Sequence, residues 1–369
     1  MFPYHSPLGI FGRDLLAIRR GTGGLALERE LSRSESRKIR TVTSGWNVPG
    51  SGGKCVIDRL IIEPMRICSL LPGATEIACA LGLADEIVGV SHECDFPAAA
   101  RSKPVMVRSR IDPTISGSGE IDRQVGDLLR SKQSLYALDE KLFKDSEPDI
   151  ILTQGLCDVC ALDYNDVVRA ARSLPQEPTI VSLDPHCLAD ILNDVLRIGE
   201  ATHRSRQAES LVQELKVRIQ AVRDRTARSA SRPRVVCLEW LDPLYIAGHW
   251  VPEMVQIAGG NDILGTAGEP SVKIEWEALI TCQPEILILM PCGFDLDRAV
   301  RESSLLKNRP GWQSLPAVKD GRVFAVSGAD YFSRPGPRLV NGLEILSQLF
   351  HPQLSPAPIS SDLAKRVNL

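Results

Sequence analysis

The sequence predicts an α/β protein built from two Rossmann-like lobes joined by a long α-helix. Three observations carry that expectation. A short phrase occurs twice: Glu147-Pro148-Asp149-Ile150-Ile151-Leu152-Thr153, and Gln283-Pro284-Glu285-Ile286-Leu287-Ile288-Leu289. A proline that stops a helix, one acid and then an apolar run reads as a buried parallel strand. Between the copies, Ser205 to about Ala227 keeps Leu211, Leu215, Ile219 and Val222 on one stripe, the spacing of a single helix. Each copy runs into a cysteine-bearing loop, the first to Cys157 and Cys160, the second to Pro291-Cys292-Gly293. Ligands of open α/β sheets bind beyond the carboxyl ends of the strands, so two such lobes imply one shared cleft.

The elements follow in chain order. Residues 1–64 are expected to be a disordered leader or a mis-assigned start, broken by charges and by Pro49-Gly50-Ser51-Gly52-Gly53. Met65 directly precedes the strand Arg66–Leu71. The amino-terminal lobe, 65–186, contains that strand, a helix after Pro72 closed by Gly82, and a strand from Ile87 to Val90. Helices follow near Glu120–Lys132, Asp139–Lys144 and Tyr164–Arg172, and a strand from Thr179 to Leu183. A helical connector, 187–232, contains Leu188–Thr202 and the long helix, whose other faces carry solvated charges. The carboxy-terminal lobe, 233–351, opens with the strand Arg234–Leu238. It continues through helices near Val251–Ala258 and Trp276–Ile280 and the strand Arg322–Val326 to a final helix, Arg338–Phe350. The tail, 352–369, is expected to be flexible.

Composition narrows the function. The 369 residues are 43% hydrophobic and 24% charged with a net charge of −3, which supplies no electrostatic footprint for nucleic acid. No run approaches the length of a membrane span. With no secretory signal and reduced thiols, the chain reads as cytosolic. Walker, GxSxG and HExxH patterns are absent, and Gly259-Gly260 reads as a helix stop. The expectation is a non-catalytic protein.

Three phrases give the chain a family likeness: Leu70-Leu71-Pro72-Gly73-Ala74-Thr75-Glu76-Ile77, Val90-Ser91-His92-Glu93-Cys94-Asp95-Phe96-Pro97 and Ile257-Ala258-Gly259-Gly260-Asn261-Asp262-Ile263-Leu264. With Ala329-Asp330-Tyr331-Phe332 before Pro337-Arg338, they resemble the vitamin B12-binding branch of the substrate-binding proteins of ABC importers. That is the helical-backbone, class III fold. The resemblance implies cobalamin or a related corrinoid, tetrapyrrole or metal chelate as ligand, a periplasmic location, and an ABC permease as partner if the chain is exported. It places permease docking at Glu76. The second docking position falls on Asn261, which lacks a carboxylate, and Asp262 beside it is the substitute.

Candidate ligand-binding residues lie on the loops expected to face the cleft. Trp240, Tyr245, Trp250, Phe294, Tyr331 and Phe332 could wall a flat macrocycle, or pack the lobes together. Arg108, Arg110 and Arg334 could reach amides, carboxylates or phosphate. His92 and His249 offer imidazoles to a metal, or simply bond to backbone. Cys94, Cys157, Cys160 and Cys292 offer thiols. The CxxC of Cys157 and Cys160 is half of a zinc or iron–sulfur site that His92 and Cys94 could complete, a redox dithiol, or a structural pair. The rival function is therefore a cytosolic protein that handles corrinoid or metal through its Cys/His set.

Overall fold

A computed structural model describes residues 63–111, 117–155, 162–354 and 357–367, together with strands within 8–62. Met1–Arg66 and Ile67–Leu369 form two separate compact units. In the first unit lie four antiparallel strands, β1 (Leu8–Phe11), β2 (Asp14–Ile18), β3 (Ile39–Asn47) and β4 (Lys54–Ile62), in the order β1-β2-β4-β3. These strands lie in the segment expected to be a disordered leader or a mis-assigned start. Strands β3 and β4 are rich in Ile, Val and Thr, and the Pro-Gly-Ser-Gly-Gly segment that separates them in sequence carries the composition of a turn.

The second unit contains two sheets. In lobe one the strands are β5 (Ile67–Ser69), β6 (Ile87–Ser91), β7 (Val105–Ser109), β8 (Tyr136–Leu138), β9 (Ile150–Thr153) and β10 (Thr179–Ser182). Their order is β10-β9-β5-β6-β7-β8, parallel except for β8 at the edge. Helices α1 (Pro72–Ala80), α2 (Ser118–Arg130), α3 (Glu140–Ser146) and α4 (Tyr164–Arg172) connect them. The opening turn of α1 is favoured by Pro72, whose fixed φ suits a first helical position.

Lobe two is a mixed sheet. Strands β11 (Arg234–Leu241), β15 (Ile286–Leu289) and β16 (Val323–Val326) run parallel at its centre. Antiparallel β12 (Leu244–Ile246) and β14 (Val272–Lys273) extend one side, and β13 (Asn261–Asp262) pairs with β11. On the other side β17 (Ala364–Arg366) pairs antiparallel with β16. The tail expected to be flexible is thus partly a strand, tied by Lys365 to Asp297 at 2.6 Å and by the Val367 N–H to Val323 O at 2.9 Å.

The repeated phrase is one local device used twice. Strands β9 and β15 are buried at every position, each flanked by parallel partners. The residues before the prolines, Glu147 and Gln283, have φ of 39° and 45° and cap the helices that precede them. A residue before proline is disfavoured in the right-handed helical region, so each helix stops there, and in both copies the chain turns through a left-handed cap into the strand.

Lobe two also holds α7 (Val251–Ile257), α8 (Trp276–Cys282), α9 (Leu296–Glu302), α10 (Pro316–Lys319), α11 (Gly328–Tyr331) and α12 (Leu339–Phe350). The connector consists of α5 (Leu188–Ala201) and α6 (Ser205–Thr226). Helix α6 has 22 residues and so is about 33 Å long. Its buried face includes Ala208, Val212, Leu215, Ile219 and Val222, and it packs on α7 and α12, where Arg218 grips Glu344 with bonds of 3.0 and 2.8 Å. Helix α5 meets α1 and β10 of lobe one. The brace between the lobes is therefore this helix pair, packed so closely that a Cβ on Gly199 would stand 2.4 Å from Ala208.

Candidate functional site

The loops that leave the carboxyl ends of the two sets of parallel strands meet each other. They do so at three places, and each is polar. At the first, α1 of lobe one brings Glu76 to the Arg-rich segment after β16. Glu76 is only 4% exposed and accepts two bonds from Arg338, Nε to Oε2 at 3.0 Å and Nη2 to Oε1 at 2.6 Å. Arg338 also donates to Asp330 at 2.9 Å and lies over the Phe96 ring at 4.1 Å. Arg334, buried as well, pairs with Asp95 and stands 4.0 Å from Glu76. Burial works to lower the Arg338 guanidinium, but the carboxylates of Glu76 and Asp330 outweigh it and hold Arg338 above its ordinary value. Gly73 admits this contact, since a Cβ there would stand 2.5 Å from Pro335 O.

At the second place, the start of α2 meets β11 and α9. The Trp240 indole N–H donates to Ser118 O at 3.2 Å, the Ser118 N–H donates to Glu302 Oε2 at 3.3 Å, and the Ser118 hydroxyl donates to the same oxygen. The Trp240 ring packs tilted at 55° against Phe294, centroids 5.1 Å apart, and Phe294 in turn lies under Arg298. At the third, the loop after β10 meets the loop before α7. The rings of His186 and His249 are 6.0 Å apart, and the Leu188 N–H donates to Glu253 Oε2 at 2.9 Å.

The structure sorts the expected site residues. Trp240, Phe294 and His249 stand where the lobes meet. His92 follows β6, half-buried, with an Nδ1 that has no hydrogen-bond partner and a ring 6.0 Å from Tyr136. Arg334 is at the junction but is committed to Asp95 and Glu76. Trp250 and Phe332 are buried, with the Trp250 indole donating to Phe332 O at 2.8 Å, so these two belong to the core of lobe two. Tyr331 packs beside them, 6.0 Å from Arg338. Tyr245 is a ladder residue of β12, and Arg108 and Arg110 are exposed beside the β7–β8 edge. Cys292 is partly buried in the loop after β15.

Three of the expected residues are turned inward or bonded within their own loops. Cys94 is 4% exposed, 3.0 Å from the Thr75 hydroxyl, and burial pushes its thiol up to about 11, so it is a protonated core residue and not a poised ligand. Glu76, the expected docking residue, is turned inward onto Arg338. Asp262 bends back on its own loop, accepting from Gly265 N–H at 2.7 Å and Leu264 N–H at 3.2 Å, with its other oxygen buried. Cys157 and Cys160 lie outside the described residues. Among those described, no group of three His, Cys, Asp or Glu is placed to hold a metal.

Sequence reasoning missed His186, Ser118, Glu302, Asp95 and Arg338. A signal existed for two of them. Pro185-His186 follows a lobe-one strand much as Gly248-His249 follows one in lobe two, and Arg338 ends the Arg-Pro-Gly-Pro-Arg run that begins at Arg334.

A family model described as "Periplasmic binding protein" matches residues 67–328. The chain belongs to the periplasmic binding protein family. It is 24% identical over 297 residues to an uncharacterized ABC transporter substrate-binding lipoprotein of Bacillus subtilis, covering 79% of this chain and 81% of that one. It is 24% identical over 282 residues to the vitamin B12-binding protein of Vibrio cholerae, covering 76% and 86%. Among solved structures it is similar to the periplasmic heme-binding protein RhuT of Roseiflexus, with a TM-score of 0.60, 22% identity and coverage of 79% and 100%. It is likewise similar to the periplasmic vitamin B12 binding protein BtuF of Vibrio cholerae, with a TM-score of 0.57, 21% identity and coverage of 78% and 98%.

These matches establish the two-lobed class III fold. The named relatives include a substrate-binding lipoprotein of an ABC transporter and a vitamin B12-binding protein. The relatives are periplasmic proteins or lipoproteins, so the cytosolic expectation gains no support, and neither does zinc or an iron–sulfur cluster. Among the described residues no helix is long and apolar enough to cross a membrane. Heme-, iron- and B12-binding relatives occur side by side, so the B12 branch is not singled out.

Proposed function

We propose that this periplasmic binding protein holds a metal chelate of the corrinoid, tetrapyrrole or iron-chelate class between its two lobes and delivers it to an ABC permease. One observation carries the reading. The parallel strands of both sheets end at a common junction, and the loops there supply the partly exposed Trp240 ring, backed by the buried Phe294, together with imidazoles (His92 and His249). A flat, largely apolar chelate with a polar rim needs such a lining. Named relatives support the ligand class, since they include proteins for vitamin B12 and for heme.

The test is titration of the purified, reduced full chain with cobalamin, cobinamide and haemin, followed by absorbance and Trp fluorescence. Saturable one-to-one binding of at least one of the three is expected. Trp240→Ala should weaken it about tenfold or more, consistent with the loss of one well-packed aromatic contact. If none of the three chelates binds saturably, the proposal is wrong.

A further inference from the structure

We infer that α2 is a strap latched across the lobes by Glu302, and that release of this latch admits ligand to the cleft. The second clause rests on the reading of the junction between the lobes as the binding site.

Helix α2 belongs to lobe one by chain position, yet it packs on β11 of lobe two. Its amino terminus is not capped from its own segment. The residue before it, Gly117, has no side chain to accept from the orphan N–H groups that open every helix. Glu302 of α9 takes that place from 184 positions away. Its Oε2 accepts from the Ser118 N–H at 3.3 Å and from the Ser118 hydroxyl. A carboxylate there also meets the positive end of the helix dipole. Ser118 is held from a second side, since its carbonyl accepts from the Trp240 indole at 3.2 Å. At the next residue, Gly119, a Cβ would stand 2.7 Å from Asp242 Oδ2, so the turn after β11 lies against the backbone of α2. Asp242 in turn pairs with Arg309 at 3.3 Å.

Beyond this first turn the helix is thinly held. Ser118 and Ile121 are its only buried residues, Leu129 is 44% exposed, and the ion pairs that join Asp127 to Arg123 and Arg130 lie in solvent. Elements with so little buried surface open at far lower cost than the whole fold, and lids are drawn from that class. The lobes are the opposite case, because the α5–α6 brace and the Glu76–Arg338 pair resist hinging. The element free to move is therefore α2, and its latch sits on Trp240, the ring proposed to line the cleft. Glu302 acts through Ser118, which makes it a positioning residue.

The test uses the full chain as wild type, Glu302→Ala, Glu302→Gln and the control Arg301→Ala, an exposed neighbour on the same helix. Near-UV circular dichroism confirms that each is folded. Stopped-flow quenching of Trp fluorescence by cobalamin, cobinamide and haemin gives association and dissociation rates, and hydrogen–deuterium exchange of the ligand-free chain follows α2. In Glu302→Ala both rates should rise at least about fivefold while Kd changes by less than about threefold, because a gate that opens more often speeds entry and exit alike. Amides of residues 118–124 should exchange about tenfold faster or more, as expected for loss of a helix cap, while those of β9 and β15 exchange as in wild type. Glu302→Gln keeps an oxygen acceptor for the Ser118 N–H and should fall between, and Arg301→Ala should match wild type. Unchanged rates overturn the inference, and so does faster dissociation alone, which would mean that Glu302 supports bound ligand and gates nothing. Either result leaves the proposed function standing. If no chelate binds wild type saturably, the proposed function falls and exchange decides on the latch. Faster exchange confined to α2 in Glu302→Ala then upholds it, and unchanged exchange overturns it.

Discussion

Glu76 shows how far a single residue's role depends on what the fold brings to it. Read along the chain, it is an acid in the first turns of a helix, favourably placed against the helix dipole. In the folded protein it is a buried carboxylate of one lobe clamped by a guanidinium of the other. Breaking a buried pair by removing one partner leaves an uncompensated charge and costs about 3–5 kcal/mol, whereas replacing both partners by apolar groups costs far less. Glu76→Gln should therefore lower the urea-unfolding free energy by about 3 kcal/mol, and Glu76→Met/Arg338→Met should recover most of that loss. Equal melting curves for Glu76→Gln and wild type would show that the pair contributes nothing to stability. At this same scale the site was only partly legible. Trp240, Phe294 and His249 could be picked out because rings on loops after strands are informative. Cys94 could not be excluded, because exposure is not written in a CxxC count or a loop position. His186 went unnoticed because its partner lies 63 positions away in sequence and meets it only across the junction.

The elements were more legible than the residues. Buried strands β9 and β15 announce themselves as unbroken apolar runs, because parallel strands are covered on both faces. That the helices stop before Pro148 and Pro284 follows from the proline, whereas the left-handed backbone of Glu147 and Gln283 does not, since a residue before proline is biased toward extended backbone. The connector helices were visible from their spacing, but which lobe each one touches was not, since an apolar stripe does not name its partner. Helix α5 also hides a pH dependence. Asp194 is buried on it, paired with Arg197 at 2.9 Å, and burial raises its carboxyl to about 6 against an ordinary value of 3.8. A carboxyl raised in the folded state gives stability that is fully present below pH 3.8 and is lost as pH rises through about 6. The full shift corresponds to about 3 kcal/mol, and partial solvent access reduces this to roughly 1–2 kcal/mol. Asp194→Asn should flatten the corresponding part of the stability profile and stabilise the protein at pH 7.5, as read from urea midpoints between pH 4 and pH 7.5. An unchanged pH profile in Asp194→Asn would show that this carboxyl does not titrate between those limits.

At the scale of the whole second unit, three polar junctions and a packed helix pair hold the lobes at one separation. Interfaces of this preformed kind move little on binding, with backbone shifts under about 1 Å, and a preformed cleft lowers the ordering cost of its ligand. Small-angle scattering curves of the full chain with and without a bound chelate should superimpose. A contraction on binding would show instead that the lobes hinge.

By itself the sequence determined the α/β class, the two lobes, the repeated strand entry, the helical brace and the family likeness. All of these rest on local rules of proline, glycine and apolar periodicity that act within a few residues. The tertiary structure alone decided that the leader and the tail contain strands, that Glu76 and Cys94 face inward, and that His186 stands opposite His249. Those outcomes depend on burial and on contacts between segments far apart in the chain, and the cost of hiding a charge or a thiol exists only once other segments have closed over it.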